Sequence, residues 1–160
     1  SRQFTYCGFT LCNRYAKSIE KMNKISYQNL NVGDKLPSIN LPPISRLNLA
    51  LYCGASGDHN PIHVDIDFAK QAGVIDVFAH GMLSMAWLGR LLTNWVPQEA
   101  IRQYRVRFAA ITKVGEQITC QGQIVDKFEE DGDQCVRLEI QTINQDGQVK
   151  LSGEAVIKLN

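Results

Sequence analysis

The sequence predicts an α+β domain in which a curled antiparallel sheet wraps one long central helix. Three observations predict it. Met82 to Leu92 is apolar nearly all round, as a helix with no solvent face would be. After Pro97 the apolar residues recur with a period of two. Asp131-Gly132 and Asp146-Gly147 then divide that region into strands joined as hairpins, which makes neighbouring strands antiparallel. A sheet with one apolar face and a helix with an apolar circumference hide both surfaces by packing the one around the other.

Composition narrows the function classes. With 160 residues, 44% hydrophobic and 21% charged, the chain falls in the soluble globular class at the length of one domain. Lysine and arginine number 17 against 16 aspartates and glutamates, so no global field draws in nucleic acid or an anionic membrane. Arg90 interrupts the most apolar segment well short of the ~18 residues a membrane-spanning helix requires. The five cysteines form no CxxC and no even set, so neither a disulfide framework nor a zinc ribbon is indicated, and a cytoplasmic location is expected.

Residues 1–21 differ from the rest, with Arg2, Arg14, Lys17 and Lys21 against a single Glu20 and no clean period. They read as a leader outside the fold: a transit-like segment, an extension upstream of a start at Met22, or a leader added for expression. The domain is expected over 22–160. From Asn31 an edge strand should run into Pro42-Pro43. Ser45 offers an N-cap to a helix carrying Leu47, Leu49, Leu51 and Cys53 and ending near Gly54 or Gly57. Asp65 or Asp67 caps a short helix through Phe68 and Ala69, closed by Gly73. Strands are expected around Tyr104 to Phe108, with Tyr104, Val106 and Phe108 on the inner face, then over 115–128, 135–143 and 149–159.

Chemistry concentrates in Gly57-Asp58-His59-Asn60-Pro61-Ile62-His63-Val64-Asp65 and in Ala79-His80-Gly81-Met82, which between them hold all three histidines. So many polar groups in a short run need partners if buried. Pro61 prevents a regular helix and pushes Asn60 toward extended geometry, so Asp58 and His63 are presented from one fixed loop. A carboxylate and an imidazole there suit proton transfer; a satisfied polar turn is the plainer alternative. A metal site from Asp58, His59, His63 and Asp65 is disfavoured because Pro61 breaks the helical spacing such ligands use, and no metal or cofactor is expected. His80 stands either near the reacting group or merely as a cap for the central helix. Arg102, Arg105 and Arg107 could meet phosphates or could be a solvated strand face, and Arg90 should find a carboxylate.

The run from Tyr52 to Asp65, with Ala79-His80-Gly81-Met82-Leu83 and Tyr104-Arg105-Val106-Arg107-Phe108, resembles the MaoC-type (R)-specific enoyl-CoA hydratases and 3-hydroxyacyl thioester dehydratases, in particular the catalytic subunit of bacterial dehydratases acting on acyl-carrier-protein substrates. The likeness covers roughly residues 27–159. It implies the hot-dog fold, usually dimerised through a continuous sheet, either with itself or with a related hot-dog subunit. It implies a hydro-lyase of fatty-acid metabolism acting on coenzyme A or carrier-protein thioesters. Asp58 and His63 are then the catalytic pair and Gly81 the donor to the thioester carbonyl. Asn60, Ser84 and His80 would support the catalytic loop, and Arg105 and Arg107 would contact carrier phosphates. Some relatives carry a helix serine about two turns past the glycine; Gly89 stands there in this chain, and Ser84 is the nearest serine. A hot-dog thioesterase and a noncatalytic acyl-thioester-binding subunit are the competing readings.

Overall fold

The computed structural model describes residues 25–159. The basic leader read at 1–21 lies outside them. In chain order, the regular elements are strand β1 (Ile39–Asn40), helices α1 (Arg46–Ser56), α2 (Ile66–Gln71) and α3 (Gly81–Thr93), then strands β2 (Ile101–Phe108), β3 (Thr119–Glu130), β4 (Asp133–Ile143) and β5 (Val149–Leu159).

The strands form one antiparallel sheet in the order β1-β3-β4-β5-β2. Its hairpins follow from the turn residues: Asp131 at φ 54° and Gly132 at φ 80° supply the paired positive dihedrals that let a two-residue loop match the strand twist. Buried residues alternate along β3 and from Val136 along β4, whereas Ala155, Val156 and Ile157 of β5 are buried in succession. Ile118, Cys120 and Ile124 on the β3 side, Val136, Leu138 and Ile140 on β4, and Ala155 and Ile157 on β5 are buried. They join Leu83, Leu88, Leu91 and Leu92 of α3 in one apolar core. The fold is therefore the predicted hot-dog: a curled sheet holding a central helix.

Four expectations are corrected. The sheet does not enclose α3 on all sides: Met82, Ala86, Arg90 and Thr93 form an exposed stripe, with Met82 54% exposed, because five strands curl only part-way round a helix. Arg90 accordingly sits in solvent, and no carboxylate pairs with it among the described residues. In α1 only Leu49 is buried while Leu47 and Leu51 face out, so the apolar residues of that helix lie on two faces rather than one. The edge strand near residue 31 shrinks to a bridge at Lys35 and the two residues of β1, since Pro37 removes a ladder donor between them.

No helix among the described residues is long and apolar enough to cross a membrane.

Candidate active site

Local chain geometry delivers Asp58 and His63 together. Ser45 opens α1 with a capping box, its side chain accepting from the Asn48 N–H while the Asn48 side chain accepts from the Ser45 N–H. The helix stops at Gly57, whose φ of 74° is the left-handed turn that ends helices cheaply only in glycine. Asp58 is the next residue. The Ser56 hydroxyl donates to the Tyr52 carbonyl at 2.7 Å and accepts the Asp58 N–H at 3.2 Å, tying the loop back to the helix. Asn60 Oδ1 then accepts the Ile62 N–H at 3.1 Å and starts the 3-10 turn Pro61–His63. Asn60 thus closes the turn between Asp58 and His63.

A second segment arrives from far along the chain. The Ala79 N–H donates to the Thr112 carbonyl at 2.9 Å, and Phe78 bridges Lys113. This holds the Phe78 carbonyl where it accepts the His63 Nδ1–H at 2.8 Å. A carbonyl only accepts, so Nδ1 carries the proton and Nε2 of neutral His63 keeps its lone pair free for chemistry. His80 Nε2–H donates to the Asp58 carbonyl at 3.2 Å, which fixes the loop from below. The imidazoles of His63 and His80 stack with centroids 3.9 Å apart, and the Tyr52 ring meets His80 edge-on at 5.0 Å.

Electrostatics separates the two histidines. Burial pushes the His80 pKa down, and the neighbouring His63 charge adds to it; the hydrogen bond to the Asp58 carbonyl and the Asp58 charge oppose the shift without reversing it. His80 is therefore a neutral buried ring, fully enclosed, whose Nδ1 has no partner among the described residues. Functional atoms of Asp58, His63 and His80 all lie within 4.8 Å of one another. These atom types also suit a divalent ion. Asp65 does not join them, because its carboxylate caps α2 through the Asp67 and Phe68 N–H groups.

Gly81 directly follows His80 and is the first residue of α3, so its N–H is among the donors left over at a helix start, where the dipole favours negative charge. The Phe108 ring lies across it: a Cβ on Gly81 would come within 3.0 Å of Phe108 Cε1. This explains why Phe108 is 52% exposed instead of facing the core as the strand alternation suggested. Gly81, Ser84, Phe78 and Phe108 line a cleft of about 350 Å³ whose floor is the chain from Ala109 to Thr112.

Other expected site residues are placed differently. His80 does not cap α3 with its side chain, because the ring is committed to the loop above it. Ser84 is not bonded to the loop of Asp58 and His63: its hydroxyl, buried, donates to Thr112 Oγ1 at 3.4 Å. Arg105 donates to Glu154, which Arg137 also approaches at 3.6 Å, so its guanidinium is already engaged. Arg107 has no carboxylate partner among the described residues, and neither arginine lines the cleft at Gly81. Phe78 and Thr112 were not singled out from sequence. Both act largely through backbone carbonyls, which leave no trace in side-chain type.

Comparison with known proteins identifies the family and the fold. Residues 28–146 match the model of the MaoC like domain. The chain belongs to the MaoC-like family. Among curated relatives of this MaoC-like domain, it is 30% identical over 134 residues to fatty acid synthase subunit beta of Saccharomyces cerevisiae, covering 82% of this chain and 6% of that protein. It is 27% identical over 108 residues to a mitochondrial 3-hydroxyacyl-[acyl-carrier-protein] dehydratase of Solanum lycopersicum, covering 68% of this chain and 66% of that one. Among solved structures, the unliganded R-hydratase PhaJ1 of Pseudomonas aeruginosa superposes with a TM-score of 0.72 at 28% identity, covering 84% of this chain and 85% of that chain. The (R)-hydratase of Aeromonas caviae superposes at 0.70 with 26% identity, covering 83% and 99%.

Proposed function

We propose that this MaoC-like domain is a hydro-lyase interconverting trans-2-enoyl and (R)-3-hydroxyacyl thioesters. The observation that carries the reading is the meeting of Asp58 and His63 beside His80-Gly81 at the start of α3. Hydration puts the water oxygen on C3 and a proton on C2, so water supplies every atom gained and no redox partner enters the balance. Negative charge passes through the thioester oxygen in an enolate-like state, and the Gly81 N–H with the helix dipole behind it offers that oxygen a fixed donor. Asp58 and the free Nε2 of His63 hold the water between them, take its proton and deliver one to C2. In the dehydration direction the same two groups act in reverse.

The thioester carrier in this reading is coenzyme A or an acyl carrier protein, the two named among the relatives. A second copy or a related hot-dog subunit is the proposed partner, since β2 ends the sheet and its outer edge is unpaired among the described residues. The free Cys53, Cys120 and Cys135 thiols suit a reducing, cytoplasmic setting.

The deciding assay follows loss of enoyl-thioester absorbance with crotonyl-CoA and with the same acyl group on a carrier protein. Formation of the (R)-3-hydroxy product without release of free thiol is expected. Thiol release in its place would identify a thioesterase, and binding without turnover a noncatalytic subunit.

A further inference from the structure

Lys150 lies in β5 with its side chain 1% exposed, and its ammonium has all three donors filled. Nζ donates to Glu116 Oε1 at 2.7 Å, Gln148 Oε1 at 2.8 Å and the Ile111 carbonyl at 2.9 Å. Glu116 is saturated as well: Oε2 accepts the Lys113 N–H at 2.8 Å and Oε1 also accepts Asn144 Nδ2–H at 2.9 Å. Burying such a pair is no efficient way to stabilise a fold, because apolar side chains of the same volume generally do as well or better. What the pair does supply is direction.

Most of its main-chain contacts fall on the strap that follows β2; the exception is the Glu116 carbonyl, which accepts the Ile44 N–H at 2.9 Å. The Lys150 carbonyl accepts the Ala109 N–H at 2.8 Å and the Ala110 N–H at 3.2 Å, its ammonium takes Ile111, and Glu116 takes Lys113. This strap is the floor of the cleft at Gly81. It is also the anchor of the second catalytic segment, through Ala79 N–H on the Thr112 carbonyl and the bridge from Phe78 to Lys113. Phe78 in turn orients His63, and Gly81 lies two residues beyond Ala79.

We propose that the buried Lys150–Glu116 pair is a positioning device for the active site, setting the 109–113 strap on which both the orientation of His63 and the placement of the Gly81 N–H depend. Neither residue touches substrate; both act through the strap. The kinetic part of this proposal rests on the hydro-lyase reading, and the structural part does not.

The test uses Glu116→Gln, which keeps the shape and removes the charge, Lys150→Met, and the double variant Lys150→Met/Glu116→Leu, which removes both polar groups. Thermal melts and circular dichroism establish folding. The expected result is a kcat lower by about 10- to 100-fold with KM changed less than about twofold, as misplacement of reacting groups produces. The double variant should recover the melting temperature of the wild type without recovering kcat. Independently of turnover, the imidazole 15N signals of His63 should lose the Nδ1–H pattern imposed by Phe78 as the strap shifts. Folded variants with wild-type kcat and unchanged His63 signals would overturn the proposal. If Lys150→Met does not fold, Glu116→Gln alone carries the comparison. Should the wild type lack hydratase activity, the function reading fails, and the His63 spectrum alone decides the positioning role: a changed pattern supports it, an unchanged one sinks it.

Discussion

His63 and His80 stack at 3.9 Å with their planes 29° apart, yet their outer nitrogens serve different carbonyls, Phe78 for His63 and Asp58 for His80. Burial disfavours a positive charge on His80, and the neighbouring His63 adds to that effect. Because the His80 pKa is held below its ordinary value of 6.5, the unfolded chain binds more protons than the native one just below that pH. Native stability is therefore fully present above that value and falls as pH drops through the window beneath it. Urea unfolding at a series of pH values from neutral to mildly acidic should show this slope. His80→Gln, which keeps a donor for the Asp58 carbonyl and loses the titration, should flatten it; an equal slope in both proteins would refute the assignment.

Removing either member of the proposed catalytic pair should abolish most turnover without unfolding the protein. Asp58 is exposed, so Asp58→Asn costs no core packing. General acid–base groups contribute roughly 10²- to 10⁴-fold, and losses of that order in kcat are expected for Asp58→Asn and for His63→Ala. Melting temperatures should stay near wild type for the former and fall modestly for the latter, since His63 is 8% exposed and packs on Phe78 and His80. Full activity in both variants would remove the basis of the proposed mechanism.

Much of this was legible in the sequence because it is local. The loop from Gly57 to His63 is specified by a helix stop, an Asx turn and Pro61 within a few residues, so Asp58 and His63 could be paired before any fold was known. Periodicity placed α3 and the hairpins of β3, β4 and β5 for the same reason. What was not legible depends on contacts between distant segments. The descent of His80 beneath His63 requires Ala79 to pair with Thr112, and the sites of Phe78 and Thr112 are main-chain atoms. Lys150 looks like any strand lysine until Glu116 and Ile111 are brought around it. Leu47 and Leu51 sit one turn apart from each other and off the face of Leu49, and helical spacing alone does not say which face the sheet will cover.

The start of α1 matters to the site because Asp58 directly follows the Gly57 that ends that helix. Ser45→Ala removes the side-chain acceptor for the Asn48 N–H and should cost about 1 kcal/mol in chemical denaturation. Gly57→Ala forces a side chain into φ 74° and should cost about 1 kcal/mol or more by a different route. Open space surrounds Gly57, so the penalty is backbone strain and not a clash. The two changes separate stability from geometry. Ser45→Ala lies a full helix away from Asp58 and should leave kcat near wild type, whereas Gly57→Ala should lower kcat as well, by turning the residue that hands the chain to Asp58. Equal kcat values for the two would show that the helix stop does not aim the carboxylate.

Gly81→Ala tests the proposed oxyanion donor by crowding. The new methyl would stand 3.0 Å from Phe108 Cε1 and 3.2 Å from Cδ1, so the ring or the helix start must move by a few tenths of an ångström. Phe108 is half exposed and can swing, which keeps the expected stability loss small. The donor is less forgiving, because hydrogen-bond stabilisation of a developing oxyanion depends on where the N–H points; loss of one such donor costs roughly 10²- to 10³-fold in kcat elsewhere, and a displaced one should cost part of that. We expect about a tenfold or greater fall in kcat for Gly81→Ala, with partial recovery in Gly81→Ala/Phe108→Leu, where the shorter side chain relieves the contact. If the double variant is no better than the single one, the Phe108 ring is not what the glycine accommodates. If Gly81→Ala keeps the wild-type kcat, the carbonyl oxygen is held by some other group.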